Sequence, residues 1–329
     1  MRFLTDYLLR HRFQALIFTF VLALIPVLGL ASILVAALFT LCAGVVEGAI
    51  FTFAATLPYI LAFVFDLQKP EFHMVLKGLV LAILSNVMTY VFAILLRRNW
   101  SWSNILQVAA LLGVLAISIV HLAYPDVDDW WASQITHLYN QSLVKTGITD
   151  ASSNAGSPLD AINSIKQFAT GFVVAYILLT AIVQLMLARW WQVVSVNQGR
   201  LGKEFYYIRL SSLTGLLFLA AMVFAYLENR VVLDILPVLC LLFGGAGLSL
   251  TCYLCGLMEP AKRRFWISLL YIALIYAMVV MALYPVFVIL NFVQPVMLGF
   301  WILAISLFAF IWLGFLDIWF DMRRRKRKV

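Results

Sequence analysis

The sequence consists of long apolar stretches separated by short clusters of charged residues. A helix needs about 20 residues to cross a hydrocarbon core about 30 Å thick, and most of these stretches are long enough. With 64% hydrophobic and only 12% charged residues, the chain has more apolar side chain than a water-soluble domain of 329 residues can bury. The sequence therefore predicts an all-α fold, a polytopic bundle of transmembrane helices in contact with the lipid bilayer.

Apolar stretches that end at charged, proline-containing or tryptophan-rich sequence are predicted to be single spans. They cover residues 74–96, 103–124, 168–190, 211–227 and 231–257. The stretch 265–320 is predicted to divide into two spans near Tyr284 and Pro285. The opening stretch, 14–65, is long enough for two long helices or for three short ones.

The basic residues distinguish these alternatives, because Lys and Arg collect in cytoplasmic loops. The basic clusters are Arg2, Arg10 and Arg12; Arg97 and Arg98; Arg189, Arg200, Lys203 and Arg209; and Lys262, Arg263 and Arg264. Only an odd number of crossings before Asp66 places all of them on one side. We therefore expect three short helices, broken near Pro26 and Gly44, or one span with a re-entrant pair. The total is about ten crossings (eight to ten) of a bacterial inner membrane. Both termini are expected on its cytoplasmic side.

The predicted organisation has two helical halves, residues 1–124 and 166–322, joined by an external segment, 125–165, and followed by a basic cytoplasmic tail, 323–329. The external segment carries five aspartates against one lysine, Lys145. It is expected to begin at Pro125 as an amphipathic helix along the membrane surface. A flexible link rich in Ser, Asn, Ala and Gly follows, and Ser157 and Pro158 then indicate the start of the next helix.

Several classes of function leave no signature in the sequence. It contains no Walker loop, dinucleotide-binding glycine pattern, zincin helix or Gly-x-Ser-x-Gly elbow, so we expect neither an enzyme nor a cofactor. The four cysteines lie in apolar stretches, where no disulfide framework is expected, and Cys252 and Cys255 lack the further ligands of a metal site. The net charge of +8 comes from basic residues beside the spans, so nucleic-acid binding is not expected either.

Polar residues deep in apolar stretches are candidates for a solute-binding pocket. Asn86 lies about halfway along its span, and Asn291 and Gln294 lie beside a proline, where a broken helix leaves backbone groups free to meet a ligand. Trp130 and Trp131 of the external helix are expected to lie close enough to act as a lid. The alternative for Asn86 is a structural hydrogen bond between helices.

Ionisable residues around the external segment form a second candidate site. His121 and His137 flank Asp126, Asp128 and Asp129, a group that could bind a cation or take part in proton movement. A simpler interpretation also fits, because carboxylates are favoured in the first turn of a helix and aromatic residues at a membrane interface.

A charged residue within a membrane needs a partner or access to water. Glu228, Arg230 and Asp234 fall on or just past a predicted tight outer turn. We therefore expect water to reach all three side chains.

Small residues at a spacing of four mark faces for close helix contact. Ala15, Thr19 and Ala23 form such a face in the first apolar helix, and Gly245 and Ser249 form another. Each face can serve internal packing or dock a membrane protein partner.

The cytoplasmic loop that follows Arg189 carries the most distinctive string. The string runs Arg189-Trp190-Trp191-Gln192, then Asn197-Gln198-Gly199-Arg200-Leu201-Gly202-Lys203-Glu204-Phe205, then Arg209-Leu210. Its two glycines and its asparagine predict a defined turn. We expect Asn197, Gly199, Gly202 and Glu204 to contact a cytoplasmic protein or another cytoplasmic loop.

Here the chain resembles the YybS-like family of bacterial membrane proteins of unknown function. In that family an Arg-Trp helix end leads into an Asn-Pro-Gly-Gly-Phe-Gly-x-Glu-Phe loop and an Arg-Leu pair. This chain has Gln198 in place of the proline and Arg200-Leu201 in place of Gly-Phe, so we expect a turn of a different form. The connection from Gly44 to Gly48 is also similar to that family, and the hydropathy is similar over nearly the whole chain.

The family is remotely similar to the substrate-binding subunits of energy-coupling-factor vitamin transporters and to the rod-shape protein MreD. The resemblance implies an integral membrane subunit that binds or transports a small solute, with the Ala15, Thr19 and Ala23 face as a docking surface for a partner. The alternative that it implies is a non-catalytic membrane scaffold in a cell-envelope or morphogenesis complex.

The predicted topology can be tested by labelling engineered cysteines in intact cells. Cysteines at Ala151 and Ser153 should react with a membrane-impermeant maleimide, whereas a cysteine at Val329 should react only after the membrane is opened, because the charge distribution places the first two outside. Equal labelling of all three positions in sealed cells would refute the topology.

Overall fold

The chain is entirely helical throughout the part that the computed structural model describes. The described residues are 2–25, 28–66, 72–146, 165–196, 201–259, 262, 264–265, 268, 294–320 and 322–325. The helices are α1 (Arg2–Arg10), α2 (Arg12–Leu24), α3 (Gly29–Cys42), α4 (Val45–Asp66), α5 (Phe72–Arg97), α6 (Trp102–Ala123), α7 (Val127–Thr146), α8 (Ala169–Val196), α9 (Leu201–Phe205), α10 (Ser212–Tyr226), α11 (Arg230–Gly256), α12 (Gln294–Phe320) and α13 (Met322–Arg325).

Within the described residues, four helices are long and apolar enough to cross a membrane. They contain the segments Gly78–Arg97, Trp102–Ala123, Ala169–Ser195 and Arg230–Gly256. The prediction of an all-α membrane protein is confirmed to this extent, and these four helices match four of the predicted spans closely. The predicted division near Tyr284 and Pro285 lies outside the described residues.

Helix α6 shows the two faces that a lipid-exposed helix needs. One face buries Ile105, Ala109 and Ile117 against the protein. The other presents Leu115 and Leu122 to the surroundings, with Leu122 85% exposed. Exposed leucines along a whole face are costly in water and ordinary in lipid, so this helix is suited to a membrane.

The opening stretch forms three helices, α2 to α4, with breaks between Leu24 and Gly29 and between Cys42 and Val45, near the predicted positions. Helices α2 and α3 are short, as predicted, whereas α4 has 22 residues.

Helix α3 is the most buried of the three. It lies so close to α4 that a Cβ at Gly48 would be 2.1 Å from the hydroxyl of Thr40, and Phe39 stacks on Phe51 with ring centroids 3.7 Å apart. Glycine at position 48 is therefore required by packing.

Short turns with defined caps join the longer helices. After α5, Asn99 adopts a left-handed conformation (φ 61°), and the N–H of Trp100 donates to the carbonyl of Leu95, as in a Schellman motif. Ser101 then accepts from the N–H of Asn104 and caps α6. Such caps satisfy backbone groups that lipid cannot satisfy.

The described chain forms two compact units. Unit 1 comprises Met1–Leu201 and Ala221–Val238, and unit 2 comprises Gly202–Ala220 and Leu239–Val329. Helices α10 and α11 each contribute residues to both units. Unit 1 includes residues on both sides of the external segment, and the predicted division into halves at that segment stays a prediction.

In unit 1, the amphipathic helix α1 is tied to the end of α8. The indole N–H of Trp191 donates to the hydroxyl of Thr5 (2.8 Å), which itself donates to Ser195 (2.8 Å). Arg97 also donates to the carbonyls of Thr40 and Leu41 at the C-terminal end of α3. A basic side chain at that end is favoured by the helix dipole.

In unit 2, α11 and α12 approach so closely that only glycine fits at their contact. A Cβ at Gly247 would lie 1.7 Å from the carbonyl oxygen of Phe310, and one at Gly314 would lie 2.2 Å from that of Phe243. Close approach through glycine increases van der Waals contact, which is the main attraction between helices in lipid.

A buried arginine organises the end of unit 2. Arg323 donates to the carboxylate of Asp317 (2.9 Å) and to the carbonyls of Tyr206 and Ile208. The sequence predicts a basic cytoplasmic tail that begins at Arg323, but the side chain of this residue is almost fully buried. The reason is a tertiary contact, since the segment after α9, more than 100 positions earlier in the chain, leaves backbone carbonyls that need a donor.

Candidate functional site

The candidate functional site is centred on a buried carboxylate in unit 1. The side chain of Asp234, near the start of α11, is 1% exposed. Its Oδ2 lies 3.0 Å from Nε2 of His121 on α6, and its Oδ1 accepts a hydrogen bond from the backbone N–H of Gly171 on α8 (2.7 Å). One aspartate therefore connects three helices.

The hydrogen bond to Gly171 gives α8 an N-terminal cap from a distant part of the chain. The first helical bond of α8 runs from the N–H of Phe172 to the carbonyl of Phe168, so the N–H of Gly171 has no acceptor within its own helix. A carboxylate is also the group that the positive end of a helix dipole favours. Asp234 thus satisfies a backbone donor and receives electrostatic stabilisation in return.

Position 171 accepts only glycine in this arrangement. A Cβ there would lie 1.8 Å from the carbonyl oxygen of Asp234 and 3.2 Å from its Oδ1. The close approach of α8 to α11 is what brings the N–H within reach of the carboxylate.

This arrangement corrects one expectation from the sequence. Water was expected to reach Asp234 at an outer turn, but the side chain is buried and paired with His121. Local sequence does not reveal the pair, because 113 positions separate the two residues. The available signal was the high cost of a carboxylate within an apolar stretch, which requires a partner.

Asp128, at the start of α7, adds a second buried carboxylate. Only 7% of the residue is exposed. Burial raises the pKa of Asp128, and the nearby charge of Asp234 raises it further, whereas His121, Arg230 and Lys166 oppose the shift. Asp128 and His121 belong to the second candidate site predicted from the sequence. In the structure His121 contacts Asp234, and the charges of both act on Asp128.

A pocket of about 640 Å³ lies beside this cluster. It is formed by the end of α6, the turn into α7, the first turn of α7 and the start of α8. The lining residues are Val120, Ala123, Tyr124, Pro125, Asp126, Val127, Trp130, Trp131 and Thr170. The pocket is therefore mainly apolar and aromatic, with the carboxylate of Asp126 and the hydroxyls of Thr170 and Tyr124 as its oxygen-bearing side-chain groups.

The two tryptophans form a corner of the pocket. Their ring centroids are 4.8 Å apart and their planes are 73° apart, so they present differently oriented surfaces. The indole N–H of Trp131 donates to the hydroxyl of Thr170 (2.9 Å), which fixes the ring against the start of α8. Because Thr170 precedes Gly171, the pocket wall and the cap provided by Asp234 lie on consecutive residues.

The structure separates the predicted ligand-binding residues. Trp130 and Trp131 line the pocket, whereas Asn86 is not among its lining residues. Asn291 lies outside the described residues, and Gln294 begins α12 with a side chain that is also outside the description. A cavity shared by Asn86, Asn291 and Gln294 stays a prediction.

Asn86 is one of several buried polar residues of α5 and α8 in unit 1. It is 6% exposed, and on the same helix Thr89 donates to the amide oxygen of Gln184 on α8 (2.5 Å). The hydroxyls of Ser85 and Thr52 are buried without a hydrogen-bond partner among the described residues. Hydrogen bonds between helices are thus already present around Asn86, in keeping with the structural alternative.

The predicted docking residues are only partly described. Ala15, Thr19 and Ala23 are buried within unit 1, which favours the internal-packing alternative for that face. Gly202 lies in α9, where a Cβ added at this position would meet no atom within 4 Å, and Glu204 is half-buried in the same helix. Asn197 and Gly199 lie outside the described residues.

Among the residues whose structure is described, no group of three or more His, Cys, Asp or Glu side chains has an arrangement that could hold a metal ion. Cys252 and Cys255 are free thiols.

No protein-family model matches the chain, and no match is found among the curated proteins or the solved structures.

The raised pKa of Asp128 predicts a pH-dependent effect on stability. Because the folded state binds the proton more tightly than the unfolded state, this group's contribution is complete below the ordinary pKa of about 3.9 and is lost as pH rises through the folded value. Asp128→Asn should therefore unfold at a higher temperature than the wild type at pH 8, and the difference should shrink as the pH falls toward 4.5.

Thermal unfolding of purified protein in detergent measures this effect. Asp129→Asn is the matched control, because Asp129 is an exposed neighbour paired with Lys166. A wild type that is at least as stable as Asp128→Asn at pH 8 would contradict the prediction.

Proposed function

We propose that this protein is a polytopic subunit of the bacterial cytoplasmic membrane that binds a small solute in the pocket beside Asp234, as a step in its transport. We further propose that it crosses the membrane about ten times, that both termini lie in the cytoplasm and that it belongs to the YybS-like family. The observation that carries it is the pocket.

The size and lining of the pocket are those of a small-molecule site. Such sites are usually clefts of about 300–1,000 Å³ with mostly apolar walls and a few placed polar groups. A volume of about 640 Å³ falls within that range, and Asp126 and Thr170 supply the polar groups. The wall is also held in place, through the bond from Trp131 to Thr170.

The charge distribution supports an opening toward the outside. The pocket lies at the end of α6 that leads into the acidic segment 125–165, whereas the opposite end of α6 follows Arg97 and Arg98. By the positive-inside rule the arginines belong to the cytoplasm, so the pocket would collect solute from outside.

The scaffold alternative makes a different demand on the molecule. A scaffold needs an exposed surface for a partner protein, and it gives no role to a pocket with a fixed wall. The burial of Ala15, Thr19 and Ala23 counts against the docking face that the resemblance to vitamin-transporter subunits implies, so the transport account rests on the pocket and not on that face.

A thermal-shift screen of the purified protein against vitamins, nucleobases and amino acids tests the proposal. A ligand that binds only the folded state adds about 2.7 kcal/mol to the free energy of unfolding at a concentration 100 times its Kd. Ala123→Phe should abolish the shift, because the new ring fills the pocket. The matched control is Leu122→Phe, since Leu122 is exposed and is not a lining residue.

A ligand whose effect survives Ala123→Phe would exclude this pocket as its site. If no compound shifts the wild type and crosslinking instead recovers cell-envelope assembly proteins, the scaffold account replaces the transport account.

A further inference from the structure

We infer that the pocket beside Asp234 selects a small organic cation with an apolar body, such as a substituted ammonium ion. This inference rests on the proposed function and names the class of solute. It follows from the aromatic surfaces of the pocket, from the charge around it and from the scarcity of oxygen ligands in its wall.

Three aromatic side chains line the pocket. Tyr124, Trp130 and Trp131 together line one pocket, and Tyr124 and Trp130 are well exposed. The face of an aromatic ring attracts a cation through its quadrupole, most strongly for tryptophan, and sites for quaternary ammonium groups use several rings at once. The inclination of the two indoles lets both rings contact one rounded group.

The charge of the surroundings also favours a cation. Asp126 lies in the pocket wall, Asp128 directly follows the lining residue Val127, and the charge of buried Asp234 acts on Asp128. Of the nearby cations, Lys166 is paired with Asp129 (3.1 Å). The remaining positive groups are Arg230 and, when protonated, His121, so the carboxylates outnumber the fixed cations around the pocket.

An inorganic cation fits this wall poorly. Ca²⁺ and Mg²⁺ need six or more oxygen ligands, counting water, at short distances. The lining side chains offer the carboxylate of Asp126, the hydroxyl of Thr170, which already accepts from Trp131, and the phenol of Tyr124. Val120, Ala123, Pro125 and Val127 are apolar and suit the alkyl groups of an organic cation.

The decisive comparison is between a cation and its neutral isostere. Choline and 3,3-dimethylbutan-1-ol have nearly the same shape, but only choline is charged. Benzyltrimethylammonium and tetraethylammonium extend the series to larger cations. Binding is measured by calorimetry and tryptophan fluorescence on the full chain in a maltoside detergent, which contains no ammonium group.

The expected result is that at least one of the three cations binds, and that choline binds at least tenfold more tightly than the alcohol. Asp126→Asn should weaken cation binding at least fivefold and leave binding of the alcohol unchanged. Asp6→Asn makes the same change of charge at an exposed residue that does not line the pocket, and it should have no effect.

A second pair of variants separates the aromatic contribution from packing. Trp130→Phe keeps an aromatic face and should retain most of the cation affinity, whereas Trp130→Leu keeps an apolar side chain and should lose at least fivefold. Equal losses of cation affinity in both variants would show that the aromatic face of residue 130 does not contribute to cation binding.

The outcomes distinguish this inference from the proposed function. If the alcohol binds as tightly as choline, or if only neutral or anionic compounds stabilise the wild type, the inference is wrong and the pocket still binds a solute. If neither the cations nor any compound of the wider screen binds, the proposed function fails together with the inference.

Discussion

The rest of the site depends on the contacts that the buried carboxylate of Asp234 makes. A carboxylate in an apolar surrounding is costly unless it is paired and hydrogen-bonded, and here His121 and the N–H of Gly171 supply both partners. The same bonds hold α6, α8 and α11 together at the end where the pocket opens. The wall built by Thr170 and Trp131 takes its position from that junction.

Much of the architecture was predictable, because hydropathy and turn chemistry are local properties of a sequence. Hydropathy predicts four of the spans and the breaks of the opening stretch, and turn chemistry predicts the helix that begins after Pro125. The sequence also predicts Trp130 and Trp131 as a lid over a binding site, and both line the pocket. The left-handed Asn99 and the Ser101 cap show that short-range chemistry alone sets the turn between α5 and α6.

The remaining features depend on contacts between residues that are far apart in the chain. The pair of His121 and Asp234 and the close approach at Gly171 exist only after three helices have packed, so no local pattern predicts them. Arg323 is similar: within a run of basic residues it is indistinguishable from a solvated tail, yet it binds carbonyls of Tyr206 and Ile208 more than 100 positions away. Burial of polar groups in this protein is thus decided by tertiary contacts.

Hydrogen exchange at the amide of Gly171 tests the central role of Asp234 most directly. This N–H lies in the first turn of α8 and donates to the Asp234 side chain instead of to a carbonyl of its own helix, so its exchange rate reports that bond. The amide should exchange slowly in the wild type and in Asp234→Asn, which keeps an acceptor oxygen, and much faster in Asp234→Ala. Equal exchange in the wild type and in Asp234→Ala would show that the carboxylate does not hold this junction.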